Sequence, residues 1–241
     1  MSGVLYGVGL GPGDPELVTM KAARIVRSAA VVAWFAKKGA RGTARTIADG
    51  LIDAASEQVP LYYPMTTETH FGDKTYTDAL SAFYAQSAAL LAAHLEAGRN
   101  VALLCEGDPM FYGSFMHLYE RLRGRFPTEV CAGVSGMSGC FAAAGQPMTW
   151  GDDVLSVLPG TLPEDELMRR LAESDAAVVM KLGSNLPKVR RALEATGRAG
   201  RAIYVERGTM AGERIMPLAE FDGKPAPYFA MILVPGNGRR P

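Results

Sequence analysis

Short apolar runs alternate with amphipathic segments along most of the chain. In the first half, Val4–Gly9, Ala29–Phe35, Gln58–Tyr63 and Val101–Cys105 are strand-length and almost wholly apolar, the pattern of strands buried on both faces. Between them, Pro15–Arg27, Thr43–Ile52 and Tyr76–Ala97 carry apolar residues at helical spacing. The last of these is closed by Gly98, and a polar stretch, Thr66–Thr75, precedes it. A further helix is predicted over Phe111–Leu122. After Gly124–Pro127 the pattern restarts, with strands at Glu129–Ala132, Val154–Leu158, Ala176–Leu182 and Ala202–Val205. An Ala-rich helix ending at Gly145 and helices over Glu164–Ala172 and Leu186–Ala195 lie between them. Ile215–Pro217 and Tyr228–Val234 read as closing strands, with an antiparallel arrangement open to them. This order predicts an α/β protein with mostly parallel sheet in two domains, 1–124 and 125–241.

Five unusual segments follow strands: Gly11-Pro-Gly-Asp-Pro15, Glu106-Gly-Asp-Pro109, Gly133-Val-Ser-Gly136, Met180–Asn185 and Glu206-Arg-Gly-Thr209. Ligands of open α/β sheets bind beyond the carboxyl ends of the strands, so the shared placement predicts a site. The opening loop is not a dinucleotide fingerprint. Gly7 and Gly9 need a third glycine where Pro12 stands, Gly9 and Gly11 need one where Asp14 stands, and no Gly-Lys-Ser/Thr ending follows. Asp14 is expected to cap the following helix, with Pro15 in its first turn, and its charge repels phosphate. The loop suits a neutral or cationic ligand.

Composition adds bounds. Lys plus Arg and Asp plus Glu are 25 each, so no global field attracts nucleic acid or an anionic membrane, and an anionic substrate must be met by local charges. No apolar run approaches the ~20 residues of a membrane span. A basic segment leading into an apolar signal core is not seen, since Val4 already begins a strand. Cys105, Cys131 and Cys140 lack Cys-x-x-Cys spacing and point to reduced thiols in the cytoplasm. The scattered His70, His94 and His117 give no metal site.

Gly9–Thr19, read as Gly-x-Gly-Pro-Gly-Asp-Pro-x-Leu-x-Thr, and Gly107–Gly113, read as Gly-Asp-Pro-x-x-Tyr-Gly, together resemble the tetrapyrrole (corrin and porphyrin) methyltransferase family over nearly the whole chain. The resemblance implies two α/β domains with a ligand cleft between them, a fold distinct from Rossmann-like methyltransferases. It also implies a homodimer, S-adenosylmethionine as methyl donor, a tetrapyrrole as substrate, and no metal. By motif, Pro12, Glu106, Gly107, Asp108 and Phe111 line one side of the donor pocket, and Ser135, Gly136, Leu182 and Gly208 the other. Ala132-Gly-Val-Ser-Gly136 departs from the family's usual Pro-Gly-Val/Ile-Ser/Thr-Ser/Ala, and the missing proline loosens that turn. Val59–Thr66, Val154–Leu162 and Met180-Lys181 are similar to the branch that methylates precorrin-2 at C20 in cobalamin synthesis. The rivals are the cobalt-bearing counterpart and a non-catalytic S-adenosylmethionine-binding protein.

Methyl transfer from a sulfonium to an electron-rich carbon needs no activated protein nucleophile, and Ser135 has no Ser/His/Asp arrangement around it. Asp14 and Asp108 are the candidate catalytic carboxylates, either engaging the donor's hydroxyl or ammonium groups or managing a proton on the macrocycle. Lys37, Lys38, Arg41, Arg45 and Lys181 are the candidate partners of substrate carboxylates; the run from Lys37 to Arg45 reads equally as a solvated face. Tyr62, Tyr63 and Met65 read as packing residues.

Overall fold

The computed structural model describes residues 1–64, 74–223 and 225–238. Met65 and most of the Thr66–Thr75 stretch lie outside them. The chain forms two compact units, Met1–Ser135 and Gly136–Pro241.

The first unit is built on five strands: β1 (Leu5–Gly9), β2 (Val31–Lys37), β3 (Glu57–Tyr63), β4 (Val101–Cys105) and β5 (Thr128–Cys131). They lie in the order β3-β2-β4-β1-β5, every pair parallel. Period-two alternation sends Val101, Leu103 and Cys105 of the fully buried β4 to one face and Ala102 and Leu104 to the other. The first face is covered by α3 (Lys74–Glu96) and α4 (Phe115–Leu122), the second by α1 (Met20–Ser28) and α2 (Thr43–Ile47). Truncating a central side chain such as Leu103, fully buried in this core, costs ~2–5 kcal/mol.

The second unit carries β6 (Leu155–Pro159), β7 (Ala176–Met180), β8 (Ile203–Glu206), β9 (Arg214–Pro217) and β10 (Ala230–Val234) in the order β6-β7-β10-β8-β9. Only β6 and β7 are parallel. The closing strands are antiparallel, β10 to both β7 and β8, and β9 to β8. One face packs on α6 (Glu164–Glu173) and α7 (Leu186–Ala195), the other on α5 (Gly136–Ala143).

Three expectations change. The strand at 128–131 does not open the second unit: it pairs with β1 at the edge of the first sheet, so the units part at 135/136 and not at 124/125. Pro15–Arg27 is not one helix. Asp14 caps a single 3-10 turn, Pro15–Leu17, its Oδ1 accepting from Glu16 N at 2.8 Å; Val18 and Thr19 are then extended, and Thr19 Oγ1 caps α1 by accepting from Ala22 N at 3.1 Å. The helix expected from Phe111 starts at Phe115, because Asp108 Oδ1 accepts from Met110 N and its carbonyl accepts from Phe111 N, winding 108–111 into a turn.

Candidate functional site

In-register pairing brings the carboxyl ends of β1, β4 and β5 level, Gly9 beside Cys105 and Val8 beside Cys131. The loops that follow are locked together through glycines. Gly11 and Gly107 form an isolated bridge: Gly107 N donates to Gly11 O at 2.8 Å and Gly11 N to Gly107 O at 3.3 Å. The carbonyl of Gly107, whose φ is +64°, lies between two other glycines. A Cβ on Gly133 would stand 2.1 Å from that oxygen, and one on Gly9 would stand 2.7 Å from it. These glycines serve the approach of three main chains to one another. Both main-chain polar groups of Gly107 are spent on Gly11.

Asp108 completes the lock. Its Oδ2 accepts from Gly133 N at 3.0 Å, crossing from the β4 loop to the β5 loop, while Oδ1 holds Met110 N at 2.9 Å. Glu106 keeps water-accessible surface, yet burial raises its carboxyl above the ordinary range, with the hydrogen bond from Ala44 N opposing. Burial, then the charges of Glu106 and Asp108, push the neighbouring Cys105 thiol well up, which makes it an inert core residue. Pro12 is buried in the opening loop, and Phe111 is half-buried with Tyr112 edge-on to it at 4.9 Å between centroids.

Charge is segregated along this edge of the sheet. The loops after β1, β4 and β5 carry Asp14, Glu16, Glu106 and Asp108 and no lysine or arginine between Gly9 and Thr19, Glu106 and Ser114, or Cys131 and Gly136. The loop after β2, the strand next to β4, carries the cations. Those cations are not equivalent. Arg45 is held by Asp49 at 2.7 Å and Gln58 Oε1 at 2.8 Å, with its guanidinium over the Trp34 ring, so the structure corrects its assignment as an available clamp. Arg41 shares Asp49 but is largely exposed. Lys37 and Lys38 are exposed and have no ion pair among the described residues.

A family profile for tetrapyrrole (corrin/porphyrin) methylases matches residues 4–222. The chain belongs to that family. It is 55% identical over 245 residues to a precorrin-2 C(20)-methyltransferase of Sinorhizobium sp, covering 100% of both chains. It is 30% identical to a cobalt-precorrin-2 C(20)-methyltransferase of Salmonella typhimurium, covering 97% of each. Among solved structures, it resembles the uroporphyrin-III C-methyl transferase from Thermus thermophilus complexed with S-adenyl homocysteine, with a TM-score of 0.66 and 27% identity over 96% of this chain and 97% of that one.

The methylase's second unit presents its own strand-end loops. Four non-glycine residues of the described chain have left-handed backbone, Tyr112 (φ 54°), Lys181 (57°), Arg207 (51°) and Thr209 (67°), and all four stand in loops after β4, β7 or β8. Side chains rarely accept this conformation, and held strain concentrates at functional sites. Lys181 is exposed, and its carbonyl accepts from Asn185 Nδ2 at 3.4 Å. Leu182 is buried in the core beneath it. Gly208 packs on α5, where a Cβ would stand 2.5 Å from Cys140 Sγ. Ser135 and Gly136 are half-buried, and Gly136 has room for a side chain, its nearest neighbour being Met231 Cε at 3.6 Å.

Sequence reasoning missed several of these features. It passed over Gly9 and Gly133 as partners of Gly107, although each closes a strand-to-loop junction. It singled out the Glu206–Thr209 segment but not the role of Glu206, a buried carboxylate that accepts from Tyr204 Oη at 3.0 Å and pairs with Arg207 at 3.4 Å and Arg214 at 3.5 Å. Among the described residues, no cluster of three or more His, Cys, Asp or Glu could hold a metal ion, and no helix is long and apolar enough to cross a membrane.

Proposed function

We propose that this methylase transfers a methyl group from S-adenosylmethionine to C20 of precorrin-2, giving precorrin-3A. The observation that carries the reading is the end-to-end 55% identity to a precorrin-2 C(20)-methyltransferase, against 30% for the cobalt-precorrin-2 relative. The residues fit the donor. Acidic loops without lysine or arginine favour a sulfonium and an ammonium over a phosphate, and the cations over β2 fit a polycarboxylate macrocycle.

S-adenosylmethionine supplies the methyl group in an in-line displacement. The chain's task is to hold both reactants, and such positioning supplies up to ~7–11 kcal/mol in favourable intramolecular cases. In this reading the donor contacts are Pro12, Gly107, Phe111 and Ser135 from the first unit, and Gly136, Gly208 and Leu182 from the second, Leu182 through its main chain because its side chain is buried in the core. Asp108 fixes the β4 and β5 loops and, with Asp14, places negative charge beside the donor. Lys37, Lys38, Arg41 and Lys181 meet substrate carboxylates. We place the enzyme in the cytoplasm, a reading supported by three unpaired thiols, and take it, from the family resemblance alone, to be a homodimer acting without metal. Product analysis with precorrin-2 and its cobalt form side by side tests the assignment. Faster turnover of the cobalt form moves it to the cobalt branch, and donor binding without turnover of either makes the chain a binding protein.

A further inference from the structure

Helix α2 begins without a cap of its own. Its N-cap residue is Gly42, with φ +84° and no side-chain cap bond, and a Cβ there would stand 2.7 Å from Trp34 Cδ1. The usual Ser, Thr or Asp cap is therefore excluded by packing. Ala44, fully buried as the second residue of the helix, still has a first-turn N–H to satisfy, and Glu106 Oε1 accepts it at 3.0 Å from the loop after β4. We infer that Glu106 is a positioning residue: its carboxylate clasps the start of α2 and thereby fixes the loop 37–42, with Lys37, Lys38 and Arg41, relative to the Gly107-Asp108 loop.

The loop has two anchors. One is the end of β2, where Lys37 pairs in register with Tyr63. The other is α2, seated by buried Ala44, Ile47 and Ala48 and by Arg45 on Asp49, Gln58 and Trp34. Glu106 is the link from that second anchor to the acidic loops. The functional half of this inference rests on the reading of Lys37 and Lys38 as partners of substrate carboxylates; the clasp itself does not.

The test uses the full-length enzyme with Glu106→Ala, Glu106→Gln and the Lys37→Ala/Lys38→Ala pair, each checked for wild-type far-UV circular dichroism. Glu106→Ala should speed amide exchange across 43–48 by about tenfold or more, the loss of a hydrogen bond to a charged acceptor. It should raise the tetrapyrrole KM ~3–10-fold, with the S-adenosylhomocysteine Kd within about twofold. Glu106→Gln, which keeps an acceptor oxygen, should restore most of the exchange protection and of the KM. Unchanged exchange in Glu106→Ala overturns the clasp. A rise in Kd with an unchanged KM overturns it too, by turning the side chain toward the donor. Faster exchange without a KM effect, while the lysine pair raises KM, overturns the positioning role. If the lysine pair leaves KM unchanged, the substrate reading falls and exchange alone decides the clasp.

Discussion

Gly133→Ala is the most direct probe of how the three loops are held. The added methyl would lie 2.1 Å from Gly107 O and 2.8 Å from Gly9 Cα, and its three nearest neighbours are all main-chain atoms. No rotamer change relieves the clash, so the ends of β1, β4 and β5 must part. Overpacking costs ~1–3 kcal/mol where side chains can yield, and rigid backbone places this substitution at or above the top of that range. At ~2–4 °C per kcal/mol for a chain of this size, ~3 kcal/mol lowers Tm by about 6–12 °C. Parting the loops also breaks the Gly133 N to Asp108 bond and should weaken S-adenosylhomocysteine binding at least about tenfold. Gly124→Ala is the control. Its Cβ meets nothing within 4 Å and its φ is not positive, so it should be neutral or stabilising by ~0.4–1 kcal/mol. Thermal melting and calorimetric titration of both variants check this. Equal melting temperatures with unchanged affinity would refute the glycine lock.

The remaining predictions concern charge. Replacing Lys37 and Lys38 by alanine should raise the tetrapyrrole KM several-fold, an effect that shrinks with added salt; Arg45→Ala should instead lower Tm, because Arg45 is packed on Trp34 and paired, and a salt-sensitive KM effect in Arg45→Ala alone would reverse the assignment. Glu206→Ala strands the Tyr204 hydroxyl in the core and leaves Arg207 and Arg214 without their shared partner. It should cost ~2–4 kcal/mol in chemical denaturation, of which Glu206→Gln recovers part, whereas a loss under about 0.5 kcal/mol contradicts the buried network. For Glu106, burial raises the folded-state pKa, so the folded protein holds this proton more tightly than the unfolded chain. The favourable contribution is complete below the unfolded carboxyl's ~4.3 and lost as pH rises through the folded value. Glu106→Gln should therefore melt higher than wild type at neutral pH and converge with it below about pH 4, and a pH-independent difference would count against the desolvation argument.

Much of the fold was legible because its strands are written as unbroken apolar runs. Leu186–Ala195 is a helix over the span its periodicity predicts, and the closing strands are antiparallel as their position after the last helix allowed. The misreadings share one cause, a local signal overruled by a distant partner. Gly124–Pro127 looks like a linker, yet β5 after it completes the first sheet beside β1, a pairing that nothing within the segment encodes. Asp14 and Pro15 do cap a helical turn, but Thr19, a second cap three residues before Ala22, starts α1 anew. The Arg45 pairing was readable, since Asp49 stands four residues on along α2 and its following turn, the spacing of a helical ion pair. The left-handed Tyr112, Lys181, Arg207 and Thr209 carry no sequence signal, because residues of those types are not selected for such backbone.

The zero net charge illustrates where composition stops and topology begins. A neutral chain offers no long-range attraction to a polyanionic macrocycle or to a cationic donor. Strand order converts the same residues into a polarised edge, since β2 is neighbour to β4, and β4 to β1. Lysines emerging after β2 therefore border carboxylates emerging after β4, with those after β1 one strand further on, although some seventy residues of chain separate Lys37 from Glu106. The sign of each loop was readable from the sequence, but their adjacency was not, because parallel strands join through crossovers that leave order unspecified. A site that must place a cationic sulfonium against a ring fringed with carboxylates requires opposite charges side by side, and here the permutation of strands, not the amount of charge, provides them.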